Sequence, residues 1–234
     1  MSPGKEDDSL SAGPPLPDTP ARSPERMTLE GRYVRLVPLD PVVHTRPLYN
    51  ATTGPAGEEV WRYLFDGPYA DEAALREALS RKATATDAVF FAIVPGGGAE
   101  PTGYASYMRI EPAHRVIEVG NVMFTPALQG TTAATEAMYL MARHAFEDLG
   151  YRRYEWKCNA LNAPSRAAAL RLGFAFEGVF RQHMIVKGHN RDTAWYSMLD
   201  VEWPARREAF ERWLDPGNFD RAGRQRATLN SFRG

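Results

Sequence analysis

From Arg32 to Val37 polar and apolar residues alternate, the two-residue period of a half-buried strand. Asp40 is placed to cap a short helix that Pro47 should interrupt. Two further helical stretches are expected. One lies around Glu58 to Leu64; the other runs from Asp71 to about Lys82, with Ala74, Leu75, Ala78 and Leu79 on one face. Val89 to Val94 is a compact apolar strand and Thr102 to Ile110 another, with the Gly-rich turn Pro95 to Pro101 between them, which predicts a hairpin. Pro112-Ala113-His114 then turns the chain into a third strand, Val116 to Phe124. Three strands joined so tightly should be antiparallel neighbours.

After Phe124 the period changes. Ala134, Ala137, Met138, Met141, Ala142, Ala145, Phe146 and Leu149 recur every 3.6 residues, which predicts a long helix ended by Gly150. Arg152 to Cys158 returns to a two-residue period, with Tyr154, Trp156 and Cys158 on one side and Arg153, Glu155 and Lys157 on the other. Strand, helix and strand of these lengths imply a right-handed parallel crossover. Asn162 should cap a short helix to Leu172, with Pro164 in its first turn and Gly173 as its stop. Two long strands follow, Phe174 to Lys187 and Arg191 to Val201, about a Gly188-His189-Asn190 turn; a last helix carries Phe210, Trp213 and Leu214.

The pattern is that of one α+β domain over 29–214. Its mixed sheet is mostly antiparallel, with one parallel β-α-β crossover and helices on both faces. Residues 1–28, rich in Pro, Ser and Gly, read as a disordered tail, and 215–234 as an irregular C-terminal extension. A ligand belongs where the antiparallel run meets the crossover.

Composition narrows the function. A formal net charge of -1 gives no field toward nucleic acid or an anionic membrane. No apolar run approaches the roughly 18 residues of a membrane span, and the N-terminus lacks the apolar core of a secretory signal. Cys158 has no cysteine partner, which fits a reducing, cytoplasmic setting. The five histidines show no metal-ligand spacing, so no metal is expected. Cys158 alternates inward with Tyr154 and Trp156, as a structural rather than nucleophilic thiol would.

The chemistry concentrates between Glu118 and Ala137. A strand ends, a loop of small residues follows, and a long helix begins. The first amides of that helix have no internal partner and carry the positive end of its dipole. Small side chains at Gly130, Thr131, Thr132, Ala133 and Ala134 would let a pyrophosphate approach. An ordinary loop entering a helix would also favour Gly and Thr.

The order of motifs resembles the GNAT superfamily of acyl-CoA N-acyltransferases, in its RimL/RimJ-like branch. The residues are Gln129-Gly130-Thr131-Thr132-Ala133-Ala134 followed by Thr135-Glu136-Ala137, then Asn162-Ala163-Pro164-Ser165, Leu172-Gly173-Phe174, Glu177-Gly178 and Arg181, Arg191-Asp192 and Glu202-Trp203-Pro204. One departure is Thr132, where that family usually has glycine; a β-branched residue there should keep an ordinary helical conformation.

The resemblance implies a GNAT-like fold and acetyl-CoA as co-substrate. Backbone groups of Val122, Met123 and Phe124 would hold the pantetheine arm, and the amides of Gln129 and Thr131 to Ala134 the pyrophosphate. Asn162 would touch the pantetheine, or serve only as a helix cap. Glu118 is the candidate base, placed by strand alternation on the same face as Val122 and Phe124; a solvated strand-end glutamate is the alternative. Ser165 is the candidate proton donor to the leaving thiolate, or a plain first-turn serine. Trp61, Tyr63, Phe65 and Tyr69 would form an acceptor wall or pack in the core. The expected acceptor is a primary amine on a small molecule or short peptide. Protein N-termini, and a non-catalytic acyl-CoA sensor, are the competing readings. Relatives of this branch often form homodimers, for which the Trp213-Leu214 helix offers a contact surface, unless it only covers the core.

Overall fold

The computed structural model describes residue 13 and residues 16–233. Eight strands form a single sheet in the order β1-β2-β3-β4-β5-β6-β8-β7. They are β1 (Leu29–Glu30), β2 (Val34–Pro38), β3 (Ala88–Pro95), β4 (Gly103–Glu111), β5 (Val116–Phe124), β6 (Arg153–Asn159), β7 (Ala175–Val186) and β8 (His189–Leu199). All neighbours are antiparallel except β5 and β6. That parallel pair is joined through helix α4 (Thr132–Arg143), as the change of period predicts.

Strand alternation divides the molecule into two cores. On β3, Val89, Phe91 and Ile93 pack with Ala137, Met141 and Phe210, which lie on α4 and α6 (Trp203–Leu214). Ala88, Phe90 and Ala92 point the other way, toward Leu48 of α1 (Pro41–Thr52) and Leu75 and Leu79 of α3 (Glu72–Ala83). Helices thus cover both faces of the sheet.

Four local expectations change. Helix α1 runs through Pro47, because Leu48 is fully buried and Val43, whose carbonyl loses its partner, is exposed. The helix expected around Glu58 instead occupies Gly54–Glu58 (α2), and a single tight turn leads to Trp61. The long crossover helix widens to π geometry over His144–Asp148, where His144 Nδ1 meets Asp148 Oδ2 at 2.7 Å, before Gly150 turns the chain at φ 80°. The β7–β8 hairpin turns on Lys187 and Gly188, both at positive φ, so pairing resumes at His189 and not Arg191.

Both flanking segments pack against the domain. The expected tail lies partly outside the described residues; from Ala21 onward it is tied down. Ala21 is buried, its amide donates to Pro112 O at 3.0 Å, and Arg22 N donates to Leu149 O at 2.8 Å. At the other end Trp213 Nε1 donates to Gln225 Oε1 at 2.8 Å, Asn218 Nδ2 donates to Trp213 O at 3.0 Å, and Leu229 is buried.

Glu136 of α4 explains part of the entry to the sheet. Its carboxylate, 5% exposed, accepts the backbone amides of Arg32 and Tyr33. A side chain at Gly31 would collide with it. Glu136→Ala leaves two shielded amides unpaired, at roughly 1–3 kcal/mol each. Urea unfolding should therefore show a lower midpoint with an unchanged m-value; an unchanged midpoint would mean water replaces the carboxylate at no cost.

Candidate active site

The site begins where the two parallel strands part. Their pairing runs from Val116↔Arg153 to Val119↔Trp156 and stops. Beyond it, Gly120–Phe124 pair only with β4, and their other edge opens on a cleft. Helix α5 (Ala163–Leu172), which follows β6, contributes Asn162, Pro164 and Ser165 to the opposite wall.

A bulge shapes the cleft edge. Gly120 stands opposite Ser106 and Met123 opposite Tyr104, so two residues of β5, Asn121 and Val122, face one of β4, Ala105. The extra residue is Asn121, at φ 49°. The bulge reverses the alternation. Val119, Val122 and Phe124 all join the α4 core, whereas Met123 is buried in the opposite one. Glu118, one residue from Val119, is therefore not on the face of Val122 and Phe124. It lies on the far side of the sheet, beside Lys157, Arg109 and Gly120.

The cleft passes through the split. It encloses about 1090 Å³, beyond the range of roughly 300–1,000 Å³ of single small-ligand pockets. On the α4 face it is lined by the loop Gln129 to Thr132, by Ser165 and by Arg171; on the other face by Tyr63, Phe65, Glu118, Lys157 and Arg191. The aromatic cluster thus divides. Tyr63 and Phe65 reach the cavity, while Trp61 is buried and stacks edge-on with Tyr69 at 5.2 Å.

The anion cradle is narrower than the motif implies. Gln129 N donates to Thr125 O at 3.1 Å, Thr131 N to Leu128 O at 3.2 Å, and Ala134 N to the capping hydroxyl of Thr131 at 3.1 Å. Those three amides are engaged. Among the described residues, the amides of Gly130, Thr132 and Ala133 find no acceptor. Positive φ falls on Gly130, at 73°, and Thr132 opens the helix in an ordinary conformation. Arg171 closes the cradle from α5. Its Nη1 donates to Thr135 Oγ1 at 3.0 Å and its guanidinium lies 5.0 Å from the Trp213 ring. Burial holds its pKa below the usual value, and among the described residues it forms no ion pair. Sequence reasoning missed Arg171, and also the extension, which lends Phe219, Arg224 and Gln225 to this end of the cleft.

Ser165 and Asn162 sit together at the α5 entrance. Asn162 caps the helix, its Oδ1 accepting from Ser165 N at 3.1 Å. Ser165 Oγ accepts from Trp156 Nε1 at 3.0 Å, which leaves its own O–H to donate elsewhere. Cys158 lines the same wall, and burial pushes its thiol pKa up, away from nucleophilic use.

Across the sheet a ladder of charges draws on β4, β5, β6 and β7. Glu118 Oε2 meets Arg109 Nε at 3.0 Å and Lys157 Nζ at 2.9 Å. Lys157 Nζ also meets Glu155 at 2.6 Å, Glu155 meets Arg153 at 2.6 Å, and Arg153 continues to Glu177. Burial lifts the Glu118 pKa above that of a free glutamate; Lys157 and Arg109 pull it back only in part. Arg153, backed by Ser197, holds Glu177 down at about 2.

Comparison with known proteins gives this geometry a context. The family model "Acetyltransferase (GNAT) domain" matches residues 34–175. The ribosomal-protein-serine acetyltransferase of Escherichia coli (strain K12) is 29% identical over 100 residues, 43% of this chain and 55% of that protein. The match spans about half the length of that curated relative. A solved GCN5-related N-acetyltransferase from Brucella melitensis is 47% identical, covers 92% of this chain and 97% of its own, and superposes with a TM-score of 0.90.

Proposed function

From the premise that this chain belongs to the acetyltransferase (GNAT) family, we propose that it transfers acetyl from acetyl-CoA directly to a primary amine. One observation carries the reading: a single cavity runs from the free amides at the front of α4, through the split in the sheet, to Glu118. The amides of Gly130, Thr132 and Ala133, with Arg171, suit the diphosphate of CoA. The open edge of Val122, Met123 and Phe124 suits the pantetheine amides, which add to it as a strand would.

The amine enters from the opposite face. Glu118 takes its proton, directly or through a water, and the nitrogen attacks the thioester carbon. Backbone amides of β5 stabilise the charge on the carbonyl oxygen. The C–S bond breaks, Ser165 supplies a proton to the sulfur, and solvent returns one to Ser165 and takes the one left on Glu118. The products are the N-acetylated amine and free CoA. Cys158 forms no bond to the acetyl group.

A thiol-release assay over a panel of amines and peptides, paired with calorimetry of acetyl-CoA, tests this. Turnover and binding are expected together. Ser165→Ala should slow release about tenfold with acetyl-CoA affinity unchanged, since a lost proton donor acts only on the breaking bond. Arg171→Ala should weaken acetyl-CoA binding instead. Binding without turnover on any amine would favour an acyl-CoA sensor. The E. coli relative acts, by its name, on a ribosomal protein; turnover confined to protein N-termini would carry that reading to this chain.

A further inference from the structure

The acceptor end of the cavity holds a cation, Arg191, that Glu118 attracts only from a distance and that no carboxylate among the described residues contacts. Arg191 of β8 is 6% exposed. Its Nε donates to Thr193 Oγ1 at 3.2 Å, and its guanidinium lies 4.8 Å from the Phe65 ring. Among the described residues it forms no ion pair. Its neighbours are already committed. Glu118 is held by Arg109 and Lys157, and Glu155 by Lys157 and Arg153, which also takes Glu177. Three carboxylates thus face four cations once Arg191 is included, and the surplus charge is Arg191 itself.

A buried guanidinium without an anion is costly, and its planar fork matches a carboxylate in two parallel hydrogen bonds. The Phe65 ring lies against the group, and both residues line the cavity. Nearby His183, bonded to Thr193 Oγ1 at 2.9 Å, has its pKa lowered by burial first, and then by Arg109, Arg191 and Lys157.

We propose that the acceptor is an amine that carries its own carboxylate, an amino-acid-like molecule. Arg191 grips the carboxylate while the amine turns toward Glu118. This rests on the acetyl-transfer reading and adds a selectivity to it. A polyamine would bring a second positive charge into a basin that already has one too many. An amide or ester of the same amine would leave the guanidinium unpaired.

The test uses the full chain with acetyl-CoA. The acceptors are α-, β- and γ-amino acids, each beside its carboxamide, and a linear diamine. Within at least one pair the free acid should give kcat/KM about 10- to 100-fold above its carboxamide, the worth of a charge-assisted bidentate contact. Arg191→Met should remove that preference through KM, with acetyl-CoA affinity unchanged, and Arg191→Lys should restore part of it. The corresponding N-acetylated acids and amides, titrated by calorimetry against the CoA-bound protein, give a second reading that needs no turnover. Carboxylate-selective binding lost in Arg191→Met supports the proposal.

Equal use of acids and carboxamides, a preference for the diamine, or an Arg191→Met loss shared equally by all acceptors would overturn it. Those results leave acetyl transfer standing. Failure of acetyl-CoA to bind at all would instead strike the reading beneath it.

Discussion

Glu118→Gln is expected to lower kcat/KM for amine acetylation by about 100-fold or more, with acetyl-CoA affinity unchanged. The substitution keeps the shape of the side chain and removes its basicity. Its effect should fall on kcat, because the carboxylate acts on a proton that moves only during attack. The pH dependence gives the sign. The working form is the carboxylate, so the rate rises as pH climbs through the Glu118 pKa, which burial places above the ordinary glutamate value. The acid limb should sit correspondingly high, and the Gln variant should lose it.

Stability runs the other way. A carboxyl with a raised folded pKa binds its proton more tightly in the native state. Its contribution is fully present below the unfolded pKa and is lost as pH rises through the folded one. Glu118 thus costs some stability in the form that works. Full activity in Glu118→Gln would remove it from the mechanism.

The largest effect on stability should come from Lys157→Met. Lys157 is 5% exposed at its side chain and is shared by Glu118 and Glu155, with its ammonium 3.9 Å from the Trp195 ring. Removing it takes away the ammonium between Glu118 and Glu155, register partners across the parallel pair, and leaves each shielded carboxylate with one arginine, Arg109 or Arg153. Breaking one partner out of a buried ion pair costs about 3–5 kcal/mol. Part of that cost is avoided if Glu118 takes up a proton, and the acid limb of the rate should then move to higher pH. In Lys157→Met/Glu118→Gln the repulsion between the two carboxylates is gone, so the double variant should be less damaged than the sum of the singles. Strict additivity in urea unfolding, or a Lys157→Met loss below about 1 kcal/mol, would show that water already screens the ladder.

The fold was largely legible in the residues. Periods of two and 3.6, broken by Gly150 and Gly173, place β3 to β6 and their crossover within a residue or two. Pro47 misled because its penalty is local, while the burial of Leu48 that outweighs it is tertiary. The site was legible in part. The loop Gln129 to Ala134, Ser165 and Glu118 do line one cavity. Their detailed roles depend on geometry that residue patterns do not carry.

The side of Glu118 depends on one extra residue at Asn121, and Gly120-Asn121 in a strand is only a faint sign of a bulge. Three of the expected cradle amides are consumed, two by turns and one by the Thr131 helix cap, closures that residue patterns do not reveal. Arg191 stood within the recognised Arg191-Asp192 motif, but its lack of an anion emerges only when β5, β6 and β8 lie side by side.

The cleft draws its walls from distant stretches of chain: Tyr63 and Phe65 near one end, Gly130 to Thr132 in the middle, and Phe219 to Gln225 near the other. Every strand is in place by Leu199, so a chain cut after Leu214 would carry the whole sheet and still lack the wall that Phe219, Arg224 and Gln225 supply. The extension is thus a closing piece of the pocket and not a spare end.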